Sequence, residues 1–246
     1  MKLLWFAAVM MLAVEASADE AAREGLDILV YGATGKVGAH VVDEALARGH
    51  KVTAVSRDPT SIDKRHDNLV AVAGDLLQPD SVAALLAGKN VVITSVRGVI
   101  GNDKDPKKSL QYIAVINIIE QLRQLGGDAP RLVHVGGSGS LEVEPGVMWA
   151  DKIPKMFLPR SIELEIEGQI LVLEYLRQID DVEWTYATPA KNFTNGERTG
   201  DFRIGGDRLM EDKRGKSRIS RADFAVALLD EVELERHTGK RFSVAY

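Results

Sequence analysis

The sequence predicts an α/β protein, a single domain built on a doubly wound, mainly parallel sheet. Three observations carry that expectation. From Asp27 onward, short β-branched runs alternate with longer amphipathic stretches, the rhythm of repeated strand–helix units. A glycine-rich loop, Gly32 to Gly38, sits between the first such run and the first amphipathic stretch. No Pro- or Ser-rich linker interrupts the middle of the 246 residues, so one core is expected rather than two.

The runs Ile28–Tyr31, Lys51–Ser56, Leu69–Ala73, Val91–Val96, Arg131–Val135 and Trp184–Ala187 are short and apolar, as strands buried on both faces must be. Between them, Val37–Arg48, Pro79–Ala87, Ser109–Leu125 and Glu163–Gln178 repeat apolar residues at helical spacing and should cover both faces of the sheet. Strand–helix–strand crossovers are right-handed, which leaves little topological choice beyond the doubly wound sheet. From Asn192 the chain is richer in Gly and charge. This stretch, 192–246, is expected to form a small substrate-side segment that closes with a helix, Arg221–Glu235, and a short strand, Phe242–Ala245.

Composition excludes several functions. With 45% hydrophobic and 27% charged residues and a net charge of -5, the chain has no basic excess to neutralise nucleic-acid phosphates, so no nucleic-acid partner is expected. The absence of cysteine excludes disulfides, thiolate metal sites and a Cys nucleophile. The five His show neither HExxH nor His-x-His spacing, so no metal is expected. At the N-terminus, Lys2 precedes the apolar run Leu3 to Val14 and then Ala16-Ser17-Ala18, the three regions of a secretory signal. That pattern predicts a signal peptide over residues 1–18, a domain over 19–246 and an exported, periplasmic or secreted, protein. The run is shorter than the roughly 20 residues that span a bilayer, so no stable membrane anchor is expected. The other readings are an apolar helix packed on the domain or a misassigned start, which would leave the protein in the cytoplasm.

The chemistry starts at Gly32-Ala33-Thr34-Gly35-Lys36-Val37-Gly38, which joins the first strand to the first helix. Glycine permits the tight turn and the close approach of backbone to a pyrophosphate, and the helix N-terminus stabilises the anion. The spacing is G-x-x-G-x-x-G, and its place after the first strand of a Rossmann-type series makes it a dinucleotide loop rather than merely a tight turn. The second strand runs into Arg57, where NAD-selective proteins carry an acidic residue for the ribose hydroxyls. A guanidinium matches a 2′-phosphate instead, so NADP is expected over NAD, with Lys36 in reach of the same phosphate. Alternatively, Arg57 is a solvated charge paired with Asp58. Asp75, in Gly74-Asp75-Leu76, either accepts from the adenine amino group or caps the next helix.

At this point the sequence resembles the atypical short-chain dehydrogenase/reductases with an NAD(P)H-binding domain, a group that includes flavin and biliverdin reductases and NmrA-like redox sensors. The resemblance covers nearly the whole chain after the leader. It rests on Tyr31-Gly32-Ala33-Thr34-Gly35, Ser56-Arg57, Gly74-Asp75-Leu76, the run from Val135 to Leu141, Thr188-Pro189-Ala190, the run from Asn195 to Gly200 and the run from Ile219 to Ala225. It implies that Thr34 to Val37, framed by Gly32, Gly35 and Gly38, hold the pyrophosphate. By the same resemblance Arg57 holds the 2′-phosphate and Asp75 and Leu76 the adenine. Pro189 and Ala190 flank the nicotinamide, and Gly136 also belongs to the cofactor site. The implied activity is NADPH-dependent reduction of a small aromatic, quinone-like or flavin-like substrate; the alternative is a non-catalytic NADP-binding sensor with a protein partner.

The family's catalytic pair does not carry over. Short-chain enzymes use a tyrosine with a lysine four residues later, whereas Tyr31, Tyr112, Tyr175 and Tyr186 are followed at that distance by Gly35, Ile116, Ile179 and Ala190, and Tyr246 ends the chain. That absence disfavours nucleotide-sugar or steroid-type epimerase and dehydrogenase chemistry. The helix that would carry the acid offers Glu163, Glu165 and Glu167 and no His. Ser138 and Lys191 remain as catalytic candidates: Ser138 to polarise a carbonyl by hydrogen bonding, Lys191 to reach a substrate or ribose hydroxyl. The plainer readings are a loop serine that satisfies backbone and a solvated lysine.

Overall fold

In a computed structural model, which describes residues 25–98, 100, 103–154, 156 and 158–246, eight strands form one sheet. The strands are β1 (Asp27–Tyr31), β2 (Lys51–Ser56), β3 (Leu69–Ala73), β4 (Val91–Thr94), β5 (Arg131–Val135), β8 (Trp184–Pro189), β10 (Arg203–Gly205) and β12 (Lys240–Ala245). Their order is β10-β12-β8-β5-β4-β1-β2-β3. All neighbours pair in parallel except β10, which runs antiparallel on the β12 edge. The helices are α1 (Gly38–Ala47), α2 (Pro79–Leu86), α3 (Leu110–Leu125), α4 (Arg160–Leu176) and α5 (Arg221–Leu234). The expected signal peptide and its cleavage site lie outside the described residues. Among the described residues no helix is long and apolar enough to cross a membrane.

Alternation along each strand divides the core between the two faces. Ile28, Val30, Val133, Ala187 and Phe242 pack with Val41 and Ala45 of α1 and with Phe224 and Leu228 of α5. Leu29, Val92, Leu132 and Tyr186 pack with Leu86 of α2, Ile118 and Leu122 of α3, and Val172 and Leu176 of α4. Strand order reverses direction between β1 and β4, and the crevice at their carboxyl ends is where open α/β sheets bind ligands.

The predicted strands β2, β3 and β5 match to the residue. Differences elsewhere have local causes. β4 stops at Thr94 rather than Val96 because the chain then turns against the glycine loop, with Ser95 N–H donating to Tyr31 O at 3.0 Å. α4 begins three residues before Glu163, directly after Pro159. β8 runs on to Pro189 because β12 pairs with it there. The small pairs β6 (Glu142–Glu144) with β7 (Val147–Met148), and β9 (Asn192–Thr194) with β11 (Arg218–Ser220), were not expected. They are too short to show a periodicity of their own.

Candidate functional site

The glycine loop is held by sterics. Gly32 has a φ of +79°, and a Cβ there would stand 2.3 Å from Ser95 O. A Cβ on Gly38 would stand 2.1 Å from Gly32 O, and one on Gly35 3.0 Å from the same atom. Gly35 N–H donates to Gly32 O at 2.9 Å and closes the turn. α1 follows with Val37 at its N-cap, no side-chain cap and no acidic residue in its first turn. The positive end of that helix is therefore left to an external anion.

A cleft of about 710 Å³ runs along the carboxyl edge of the sheet from Asp75 to Lys191. It gathers Gly32, Thr34, Gly35, Lys36, Val37, Arg57, Asp75, Leu76, Gly136, Ser138, Pro189, Ala190 and Lys191, every expected site residue except Gly38. Gly38 lies behind the loop, where its lack of a side chain lets α1 press against Gly32. Arg57 and Lys36 are exposed at the cleft. The expected alternative of an Arg57–Asp58 pair does not form. Asp58 instead accepts from Thr60 N–H at 3.0 Å and Thr60 Oγ1 at 2.6 Å, and Arg57 makes no ion pair among the described residues. Nor does Asp75 cap α2, which starts at Pro79 after Gln78. Asp75 Oδ1 accepts from Leu77 N–H at 2.9 Å, a local turn that keeps the residue on the cleft wall.

Ser138 opens a short 3-10 turn, Ser138–Ser140, after β5. Its hydroxyl makes no hydrogen bond among the described residues, so it does not satisfy backbone as the plainer reading expected; only its carbonyl is used, accepting from Leu141 N–H at 3.1 Å. Lys191 is not a solvated charge either. Its Nζ lies 2.9 Å from Glu211 Oε1 and 4.3 Å from the centre of the Trp149 ring, with the side chain only 19% exposed. Across the cleft, Arg97 Nη1 pairs with Glu165 Oε1 at 2.9 Å. Buried Gln111 sets their spacing by accepting from Gly98 N–H and donating to Glu165 O.

Beneath Gly136 and Gly137 lies a buried network that sequence reasoning missed. His134 Nε2 stands 2.9 Å from Gln169 Oε1, which can only accept, so Nε2 carries the proton and Nδ1 accepts from Thr94 Oγ1 at 2.7 Å. Tyr186 O–H donates to Gln169 O at 3.0 Å and accepts from Gly137 N–H at 3.3 Å. Its ring fills the space of a Gly136 side chain, since a Cβ there would lie 2.1 Å from the ring carbons. The one available signal was Gln169, a lone amide before the apolar run Ile170 to Leu173. Burial pushes the Tyr186 hydroxyl up to about 12, so it keeps its proton at neutral pH and holds it on Gln169 O.

Burial also drives His134 down to about 4, against a smaller opposing effect of the Gln169 bond. This carries a stability consequence. Because the folded value lies below the ordinary 6.5, the unfolded chain takes up a proton first as pH falls, and stability is lost from about pH 6.5 down to about pH 4. Between pH 7.5 and 5 the loss should be about 2 kcal/mol in urea denaturation, and a His134→Gln variant should lack most of that slope. An equally steep slope in the variant would assign it to other groups.

The motifs around Asn195–Gly200 and Ile219–Ala225 meet at a single carboxylate. Asp223 accepts from Thr199 N–H (2.7 Å), Thr199 Oγ1 (2.7 Å), Gly200 N–H (2.8 Å) and Tyr246 O–H (2.7 Å). Next to it, Arg198 grips the buried Glu44 of α1 at 2.7 and 2.9 Å. The Arg198 bond foremost, then Arg48, hold the Glu44 carboxyl below the usual carboxylate range against its desolvation. These motifs are architecture: they fasten the C-terminal segment over α1 and α5.

A model of a family described as NAD(P)H-binding matches residues 32–233, from the first glycine of the loop to the last turn of α5. The chain belongs to this NAD(P)H-binding family. The cofactor of this NAD(P)H-binding protein is a nicotinamide dinucleotide. The Bacillus subtilis protein YwnB is 31% identical over 234 residues, covering 89% of this chain and 98% of YwnB. A Burkholderia pseudomallei structure, provisionally described as an exported protein, is 36% identical with a TM-score of 0.75, covering 90% of this chain and all of that one. A Streptococcus pneumoniae structure, provisionally described as an NADH-flavin reductase, is 28% identical with a TM-score of 0.72, covering 90% and 99%. The fold is thus a Rossmann-type NAD(P)H-binding fold.

Proposed function

We propose that the protein is an NADPH-dependent reductase of a small aromatic, quinone-like or flavin-like acceptor. The observation that carries the cofactor preference is Arg57, exposed at the end of β2 on the wall of the cleft and without an ion-pair partner among the described residues. Bound dinucleotide supplies the hydride. The chain's own residues orient and shield it: Gly32, Thr34, Gly35, Lys36 and Val37 with the end of α1 hold the pyrophosphate, Asp75 and Leu76 the adenine, Gly136, Pro189 and Ala190 the nicotinamide. Val96, Leu110, Val135 and Phe193 give the cleft an apolar lining suited to a flat ring. Ser138 donates from its unengaged hydroxyl to an acceptor oxygen. Lys191, pinned by Glu211 and Trp149, retains N–H donors for a ribose hydroxyl. An acceptor with a delocalised ring needs no side-chain acid, because it takes its proton from water.

NADPH and NADH oxidation, measured in the dark with flavins and quinones, tests this reading. NADPH should bind at least about tenfold tighter than NADH, the size of a charge-assisted contact of roughly 1.4 kcal/mol, and Arg57→Ala should erase most of that preference while leaving NADH binding little changed. Equal affinities in the unaltered protein would remove Arg57 from the site. Burial of Tyr186 and His134 away from the cleft favours a second reading, a non-catalytic NADP sensor with a protein partner. Tight NADP binding with no turnover of any acceptor would select it.

We further propose that residues 1–18 direct export and that the mature chain starts at Asp19. The Ala16-Ser17-Ala18 pattern supports this, as does the provisional description of the Burkholderia relative. Exported material whose intact mass still includes residues 1–18 would refute it.

A further inference from the structure

Among the cations on the cleft wall, Arg221 has been given no role so far, although it lies in the run from Ile219 to Ala225. It is half-buried, lines the cleft, and is the first residue of α5. The buried arginines Arg241 and Arg131 meet carboxylates, Asp207 and Glu231, and Lys191 meets Glu211. Arg221 meets none among the described residues. Two neutral acceptors hold it instead, Asn195 Oδ1 at 2.5 Å and Phe193 O at 2.9 Å, while its guanidinium lies 5.4 Å from the centre of the Phe193 ring. Such a cradle fixes the position and plane of the charge without neutralising it, and leaves further N–H donors unused.

Its placement adds to the case. A cation in the first turn of a helix adds to the positive end of the helix dipole, an unfavourable arrangement unless an anion is near. Asp223, the acid of the same turn, directs its oxygens to Thr199, Gly200 and Tyr246 instead. α1 and α5 pack side by side on one face of the sheet, and each precedes a strand of the same parallel set, β2 and β12. Both helices therefore open their N-termini at the same carboxyl edge, and the uncapped end of α1, with its glycine loop, neighbours the end that bears Arg221.

We infer that Arg221 is a phosphate-binding residue of this site, the cation that meets the dinucleotide's pyrophosphate at the end of α1. This rests on the dinucleotide reading and divides the anionic ligand between two arginines: Arg57 takes the 2′-phosphate that distinguishes NADP from NAD, and Arg221 takes the pyrophosphate that both share. The division predicts opposite selectivity. Loss of Arg57 alters NADP alone, whereas loss of Arg221 weakens NADP and NAD together.

The test titrates the full chain, unaltered and as Arg221→Gln and Arg221→Lys, with NADPH, NADH, ADP-ribose and adenosine 2′-monophosphate, and records the melting temperature of each protein. Arg221→Gln should weaken NADPH, NADH and ADP-ribose each by about tenfold or more and leave adenosine 2′-monophosphate, which carries no 5′-phosphate, within about twofold. Arg221→Lys, which keeps the charge but loses the fork, should recover part of that loss. The salt dependence of ADP-ribose binding should be shallower in Arg221→Gln than in the unaltered protein. Unchanged ADP-ribose binding in Arg221→Gln would overturn the assignment. So would equal weakening of ADP-ribose and adenosine 2′-monophosphate, or failure of Arg221→Lys to rescue at an unchanged melting temperature, since either marks a clamp for β9 alone. An unaltered protein that binds none of the four ligands would instead refute the dinucleotide reading itself, and the assignment with it.

Discussion

Gly38→Ala should lower dinucleotide affinity by at least about a hundredfold, more than loss of any charged side chain in the cleft. The added methyl would stand 2.1 Å from Gly32 O and 2.8 Å from Gly32 C, a backbone obstacle that cannot rotate away. Either α1 retreats from β1 or Gly32 is displaced, and Gly32 has no room, being 2.3 Å from Ser95 O at its own Cβ position. Both movements separate the end of α1 from the turn that closes at Gly35 N–H to Gly32 O. The anion site depends on those parts being in register. Overpacking of this kind also costs roughly 1–3 kcal/mol of stability. Titration by NADPH fluorescence beside thermal unfolding checks both effects. A folded Gly38→Ala protein that binds within threefold of the unaltered one would show that the loop does not hold the pyrophosphate.

Asp223→Ala should destabilise the protein by about 3 kcal/mol, since the side chain is fully buried and serves four donors. Replacing it leaves the hydroxyls of Thr199 and Tyr246 and two backbone N–H groups without their acceptor. Backbone bonds from Gly200 and from Thr199, with the two hydroxyls, keep the carboxyl below the usual range although burial, the largest single influence, pushes it up. Its contribution is therefore present above about pH 4 and is lost as pH falls through the lowered folded value. Asp223→Asn, which keeps an acceptor, should cost about half as much. Urea denaturation at pH 7 measures both; a change below about 1 kcal/mol for Asp223→Ala would mean that the C-terminal segment is held by Arg198 and β12 rather than by this carboxylate.

The strands were legible because they are buried on both faces and so read as continuous apolar runs, and the glycine loop because it has to stand between the first strand and the first helix. Arg57 was legible for the same local reason: it follows β2 directly, and its position at the sheet edge is set by the strand before it. The half of the cleft that holds the glycine loop and Arg57 is thus written in short segments. The buried network was not, because His134, Gln169 and Tyr186 come from a strand, a helix and another strand, and each alone resembles a polar residue in an apolar context. The environment of Lys191 was also hidden: Glu211 and Trp149 reach it from distant segments and make it a fixed charge rather than the solvated one of the plainer reading.

Taken alone, the sequence determined the order and type of the elements, the parallel sheet and the place of the glycine loop, since burial pattern, glycine sterics and crossover handedness act over a few residues or one strand–helix unit. Only the tertiary structure decided which polar side chains meet. It brought Asp223 to Thr199 and Tyr246, Arg198 to Glu44, and Arg221 beside the open end of α1. Hydrogen bonds and ion pairs act over about 3 Å, and contacts that short between residues far apart in the chain exist only after the sheet has brought their elements together.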